Sequence, residues 1–428
     1  MSTQLTFAIV GLGSRGMHAI GQYIWAHPGE MRIAAAADIL PEKLQRAMAA
    51  YGLAPDQCFN SAEELFAREK MADVAVIATQ DKQHYRHAMA ALKKGYHLLL
   101  EKPISPVLPE CVEIRDEALR RELTVTVCHV LRYSPFFRAI KELIDNGSIG
   151  KVFSVDLVEN VAYWHQAHSF VRGNWRNTTE SSPMILAKSC HDMDVLHYLL
   201  GVPCQRVSSF GSLGWFKAGN APAGSAPYCA DAADCRSNCP YDARKLYVER
   251  CGEILSRGGK AGWPFNIVTP DPTPQTLEEA LKTSPYGRCV YHCDNDVVDH
   301  QVVAMIFEGG ITATFTMTGF TSQVTRRIQV MGSLGEISGD LVEGKVFLKK
   351  YGESEKQVDM PPESRDGHGG GDALMLKTLK EAVTNGGKEG LTGIVQSVHS
   401  HVMALAAEHS RLNNGIVVDL GDFEKTRP

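Results

Sequence analysis

Residues 5–16 read LTFAIVGLGSRG: a short apolar run, Phe7-Ala8-Ile9-Val10, breaks into Gly11-Leu12-Gly13-Ser14-Arg15-Gly16. Met17, Ile20 and Ile24 then recur at helical spacing up to Pro28-Gly29. Strand, glycine turn and helix in that order give a G-x-G-x-x-G motif its physical meaning. The first glycine allows the tight turn, the second admits a pyrophosphate to the backbone, and the third lets helix pack on strand. The helix N-terminus offers free N–H groups to the phosphates. Residues 31–38, MRIAAAAD, read as the next strand, closed by Asp38. An acidic residue about 20 positions beyond the turn is placed for the ribose hydroxyls of NAD and repels the extra phosphate of NADP.

Further outward the alternation continues. Pro41-Glu42 opens a helix that stops at Tyr51-Gly52, and Ser61 with Glu64 forms a capping box. Strands are expected at 73–79, 96–100 and 124–130, with helices at 84–94 and 107–121 between them. This pattern predicts a doubly wound parallel sheet of Rossmann type over 1–127. Beyond 128, a helix near 134–145 gives way to long alternating runs at 151–162, 205–213, 300–308, 311–320 and 326–331, with a hairpin signal at Gly309-Gly310. We read 128–428 as an α+β domain for substrate binding and oligomerisation, built on a large open, mostly antiparallel sheet. Helices at 372–385 and 391–413 are expected to cover one side of it. A Gly-, Pro- and Cys-rich insertion falls at about 215–295. The whole is α/β in class.

A chain of 428 residues favours two domains over one core. A net charge of −5 supplies no basic field for nucleic acid or anionic membrane. The start MSTQLTF lacks the basic-then-apolar order of a secretory signal, and no run of about 18 apolar residues occurs. The expectation is a cytoplasmic protein with a small-molecule substrate.

Ligands of such sheets lie beyond the carboxyl ends of the strands, which directs Thr79, Glu101-Lys102-Pro103 and His129 to the cofactor cleft. A strand-end lysine beside a nicotinamide can polarise a hydroxyl or relay its proton; the alternative for Lys102 is a solvent-facing lysine at a turn. His191 begins a helix and shares a face with Asp194, so its imidazole is placed to take a hydroxyl proton. A buried histidine satisfied by a backbone carbonyl is the other reading.

With residues 11–16, Ala78-Thr79 followed by His84, Glu101-Lys102-Pro103, and Ser189-Cys190-His191-Asp192-Met193-Asp194, the sequence resembles the Gfo/Idh/MocA oxidoreductases, relatives of glucose–fructose oxidoreductase and inositol dehydrogenase. The resemblance implies a nicotinamide cofactor on the first domain and a sugar, cyclitol or related polyol over it on the second. It implies that Lys102 and His191 flank the reacting carbon. In that reading Gly11, Gly13, Ser14, Arg15, Gly16 and Asp38 hold the dinucleotide, and Thr79, His84, Glu101 and His129 line its nicotinamide half. One departure stands out: many relatives carry a carboxylate four residues before the histidine, where this chain has Ala187, and Lys188 follows it. Some relatives are NAD-dependent glycosidases that oxidise transiently, eliminate, hydrate and return the hydride. The segment Gly367-His368-Gly369-Gly370-Gly371-Asp372 looks similar to a loop of that branch, which makes His368 a candidate substrate contact or part of a plain connector. A non-catalytic sugar or NAD sensor is the third reading.

Tyr163, Trp164, His165, Trp175 and Arg176 could build a sugar platform or an aromatic cluster. Asp294-Asn295-Asp296 could cap a loop or touch substrate. The eleven cysteines concentrate in the insertion. Cys229, Cys235, Cys239 and Cys293 could hold a structural zinc that pins a segment without a core of its own, with Cys289, outside the set, the point where it is most open to error; unligated thiols are the equal alternative, disulfides the lesser. An open sheet exposes apolar surface in a monomer, so a homo-oligomer, dimer or tetramer, is expected.

Overall fold

The computed structural model describes residues 4–232, 234–360, 370–384 and 390–425. Its first sheet is parallel throughout: β1 (Leu5–Val10), β2 (Met31–Ala37), β3 (Cys58–Phe59), β4 (Val74–Ile77), β5 (His97–Leu100) and β6 (Val125–Val127), in the order β3-β2-β1-β4-β5-β6. Near-continuous apolar runs such as VAVI and HLLL form its centre because both faces are covered by helices. The order reverses at β1 and β4, so the crevice beyond their carboxyl ends is the natural ligand site.

The second sheet has nine strands. They are β7 (Val152–Asn160), β8 (Cys204–Ser212), β9 (His300–Phe307), β10 (Thr312–Thr318), β11 (Thr325–Gly332), β12 (Gly335–Asp340), β13 (Lys345–Lys350), β14 (Lys356–Gln357) and β15 (Val418–Asp419). Their order is β14-β13-β12-β11-β7-β10-β9-β8-β15, and only β7 and β10 run parallel. Gly309 and Gly310, with φ +79° and +77°, turn β9 into β10. In this sheet sequence reading passed over four strands, β12–β15, and in the first sheet β3; all are short or rich in glycine and charge, and weakly periodic.

Two expectations are corrected. The helix Gly371–Thr384 does not cover the second sheet: Met375, Leu376 and Leu379 join Phe7, Ile9, Val74 and Val76 in one buried cluster, so its apolar stripe is satisfied by the first sheet. The long helix Ile394–Leu412 does pack on β8, and also on the Leu108–Arg120 helix of the first unit. The insertion, expected to lack a core, has one: Phe216, Tyr241, Leu246, Tyr247, Phe265, Leu277 and Tyr286 pack together with Ala167 and Val171.

Candidate functional site

Three glycines shape the first turn differently. Gly11 sits at φ +93°, and a Cβ there would stand 2.5 Å from Ala78 O; at Gly16 it would stand 1.9 Å from Gly11 O. At Gly13 nothing lies within 4 Å of that position, and its open side lines a cleft of about 610 Å³ between the two sheets. This bare backbone at the start of the Ser14–Gly21 helix fits a pyrophosphate. The buried Asp38 accepts Leu12 N–H at 2.7 Å on Oδ2 and Leu40 N–H at 3.0 Å on Oδ1, with Lys43 Nζ at 3.5 Å. Asp38 therefore braces the glycine turn and does not itself line the cleft, whereas Lys43 and Arg46 do. Arg15 also lines it, but its guanidinium is engaged: Nε donates to Glu101 at 2.6 Å, and Nη1 and Nη2 donate to the Asp372 carboxylate at 3.1 and 2.6 Å.

Ser14, Thr79, His84, Glu101 and Lys102 line the cleft together. The His84 ring nitrogens lie 2.7 Å from Pro103 O and 3.0 Å from Thr79 O, so this histidine ties two strand exits to each other. Lys102 Nζ donates to Ala187 O at 2.9 Å and lies 5.8 Å from the centre of the Trp175 ring. His191, in the first turn of the helix Cys190–Leu200, lines the cleft beside Ala187 and Lys188. Its helix neighbours are anchored elsewhere: Asp194 takes a two-pronged bond from Arg132 (2.6 and 2.7 Å), and Asp192 one from Arg326 (2.7 and 3.1 Å). Lys188 Nζ lies 3.2 Å from Glu159, which is also 2.8 Å from Arg326 Nε; the two cations hold this carboxylate by charge. Burial pushes the Lys188 ammonium down and Glu159 opposes that shift. Burial likewise raises Asp192, to about 6, against the pull of Arg326.

Several sequence candidates stand outside this cleft. His129 does not line it; the flanking Cys128 and Val130 do, while the His129 ring is wholly buried, edge-on to His191 (5.9 Å) and His401 (5.5 Å). The strand ends at Val127 and a tight helical turn, Val130–Tyr133, takes the next residue's side chain inward. Tyr163 and Trp164 face the insertion, against Tyr241 and against Trp263 and Arg250. The cleft wall is built instead by His165, His168, Phe170 and Trp175, with Trp263, Asn266 and Tyr286 from the insertion. Arg176 and Asp294 pair with each other, and Asp296 accepts from Thr178, so the 294–296 stretch ties loops. His368 lies outside the described residues. The zinc set Cys229, Cys235, Cys239 and Cys293 is not assembled: among the described residues no three Cys, His, Asp or Glu side chains converge as metal ligands, and all eleven cysteines are free. The insertion's own apolar core removes the need for such a staple.

Sequence reasoning missed His168, Asp81, Glu159, Asp192, Arg326 and the insertion's contribution. Asp81 accepts from Ser181 (2.9 Å), Ser182 (2.6 Å) and Trp175 (3.3 Å), fastening the wall to the first sheet. Glu159 and Arg326 carried a signal: each is a charge on the inward phase of an alternating strand.

A glycine-turn parallel sheet, joined to an open mixed sheet with Lys102 and His191 lining the cleft between, defines the class: a two-domain, dinucleotide-binding oxidoreductase. The chain belongs to the Gfo/Idh/MocA oxidoreductase family, whose NAD-binding Rossmann model matches residues 5–129 and whose C-terminal alpha/beta model matches 141–420. It is 25% identical to the protein YteT of Bacillus subtilis over 329 residues, 73% of each chain. It is 27% identical to inositol 2-dehydrogenase/D-chiro-inositol 3-dehydrogenase of Lactiplantibacillus plantarum over 197 residues, covering 45% of this chain and 51% of that one. An inositol dehydrogenase homologue from Azotobacter vinelandii, solved with NADH and myo-inositol, superposes with a TM-score of 0.67 at 15% identity, covering 98% of each chain.

Proposed function

We propose that this chain is an NAD-dependent enzyme that moves hydride between a hydroxyl-bearing carbon of a sugar or cyclitol and the nicotinamide. The observation that carries the reading is that Lys102 and His191 line the same cleft as the open glycine turn. Bound there, the dinucleotide supplies the hydride acceptor. Lys102, oriented by Ala187 O, donates to the reacting hydroxyl oxygen and favours its alkoxide character. His191 receives the proton. The lowered ammonium of Lys188, one residue after the position where relatives place a carboxylate, takes part in the same proton traffic. Trp175 and Trp263 offer ring faces to sugar C–H groups. Asp38 at the end of β2 supports NAD over NADP, although Lys43 and Arg46 soften that preference. The inositol dehydrogenase relative supports a polyol substrate.

Ala187 favours a second reading, the redox-neutral glycosidase, because removing the usual carboxylate changes the acid–base set. One assay separates the two: absorbance of reduced nicotinamide with free sugars, cyclitols and nitrophenyl glycosides. Stoichiometric NADH from a polyol, abolished by Lys102→Ala, supports the dehydrogenase. Nitrophenol release without net NADH, equally abolished, replaces it with the glycosidase. Binding without turnover makes the chain a sensor.

The reading extends to a homo-oligomer formed through the open face of the second sheet. Phe210 and Val302 are paired across β8 and β9 and are 58% and 42% exposed, an apolar patch that a second copy would cover. Light scattering of the wild type should give a multiple of 46.9 kDa, and Val302→Glu should reduce it; a wild-type monomer overturns this part of the reading.

A further inference from the structure

The substrate end of the cleft is rich in cations and poor in free acceptors. Lys102, Lys188 and Arg326 line it. Arg326 on β11 stands opposite Glu159 on β7 in the antiparallel ladder, with its Nε 2.8 Å from that carboxylate. Its Nε and Nη2 also hold Asp192, at 2.7 and 3.1 Å, so Nη1 is outside these bonds. Lys188 Nζ lies 3.2 Å from Glu159. Glu159 and Asp192 are 0% exposed and neither lines the cleft, so both carboxylates back the cations from within the protein. Lys102 pairs with no carboxylate among the described residues; its ammonium meets Ala187 O and the Trp175 ring. Three carboxylates do line the cleft, and among the described residues none pairs with these cations. Asp81 accepts from Ser181, Ser182 and Trp175, Glu101 takes Arg15 Nε at 2.6 Å, and Glu42 sits on the helix Pro41–Tyr51 with Lys43 and Arg46.

We propose that the substrate is a sugar acid, its carboxylate held by Lys188 and Arg326 at the second sheet while its reacting hydroxyl lies at Lys102 and His191. The inference rests on the reading above that this cleft acts on a hydroxyl-bearing carbon. Cations withdrawn from water need anions to balance them, and here three cations meet two backing carboxylates. The positive charge in excess is turned to the cleft, where a substrate carboxylate would accept charge-assisted hydrogen bonds from Lys188 and Arg326. The hydroxyls of a neutral sugar are weaker acceptors for the same donors. His165, on the same wall, adds no charge: burial, then Lys188, His168, Arg326 and Lys102, push its imidazole well below the usual value, so it stays neutral. One negative charge fits better than two. Glu159 and Asp192 lie 3.2 and 2.7 Å from the two cations, and a phosphate dianion in front of them would meet their repulsion. The placement also sets direction. Glu159 and Arg326 belong to the second sheet, whereas Lys102 follows β5 of the first, so the acid end and the reacting end of the substrate point to opposite walls.

The test is calorimetric titration of the full-length protein saturated with NADH, so that binding is read without turnover. The probes are D-glucuronate and D-galacturonate, their methyl esters, the parent hexoses and the hexose 6-phosphates. An acid and its ester share every hydroxyl and differ in charge. At least one acid should bind at least about tenfold more tightly than its own ester, which should match the parent sugar. In Lys188→Met the preference for acid over ester should shrink at least about fivefold, a ratio that a merely structural loss would not move. An ester or parent sugar that binds as tightly as its acid, a phosphate that binds more tightly than either, or no binding of any acid at millimolar concentration would overturn the proposal. The wild-type comparison decides even where the variant does not fold. Turnover of the same panel with NAD is read separately. Equal NADH formation from neutral sugars and acids keeps the dehydrogenase and overturns the carboxylate site. Selective binding of an acid without NADH formation keeps the carboxylate site and removes the dehydrogenase.

Discussion

A Cβ on Gly16 would stand 1.9 Å from Gly11 O, whereas one on Gly13 would enter open space. The same substitution should therefore do two different things three residues apart. Gly16→Ala forces the helix off the strand and should lower stability by about 2 kcal/mol or more, read in a denaturant titration. Gly13→Ala should leave the unfolding midpoint in place and weaken NADH binding at least about tenfold, read by nicotinamide fluorescence. Lys102→Ala should cut turnover by about 100-fold or more while leaving NADH binding within a few-fold, because its contacts with Ala187 O and the Trp175 ring are on the substrate side of the cleft. At this scale the places of the glycine turn, Lys102 and His191 on the cleft were legible in the sequence because each is a local pattern. The buried Glu159–Arg326–Asp192 group was not, because its members lie on strands and a helix far apart in the chain. His129 was misread for a related reason: a strand end says where a backbone stops, not which way the next side chain turns.

Among elements, the insertion departed most from its sequence. Its composition, rich in Gly, Pro and Cys, hid a set of aromatic residues spaced too irregularly for periodicity to register. Its rim is tied down by Asp294, which accepts from Arg176 at 2.9 Å and from Arg288 at 2.7 Å. The Arg176 bond, then that of Arg288, holds the Asp294 carboxyl well below its usual range. A depressed carboxyl supplies its stabilisation above the ordinary value of about 4 and loses it as pH falls further. Amide protection factors over residues 176–180 and 288–296, taken relative to the intrinsic exchange rate at each pH, should therefore fall on acidification below about pH 4. Asp294→Asn should show the lower protection already at neutral pH.

For the whole molecule, three buried histidines and the half-buried His197 have one consequence. Burial, the leading cause in each case, brings His87 and His197 to about 4 and His168 and His401 to about 3. The unfolded chain takes up these protons near pH 6.5 and the folded one resists them, so their stabilisation is complete above 6.5 and drains away as pH falls toward 4 and below. The melting temperature should drop by at least about 5 °C between pH 7 and pH 4.5; a flat profile would show that these rings are protonated in the native state. The two-sheet architecture was readable from alternation alone. The path of the chain through it was not, since a helix stripe does not say which sheet it meets.

That path bears on how the protein is made. The first sheet lacks part of one covering layer until Met375, Leu376 and Leu379 arrive, and the Arg15 clamp waits for Asp372. A ribosome finishes β6 roughly 240 residues before it delivers that helix, which at common elongation rates means tens of seconds. Throughout that interval Phe7, Ile9, Val74 and Val76 lack their last cover. The apolar cover of the nascent nucleotide domain is thus completed only at the closing stage of translation.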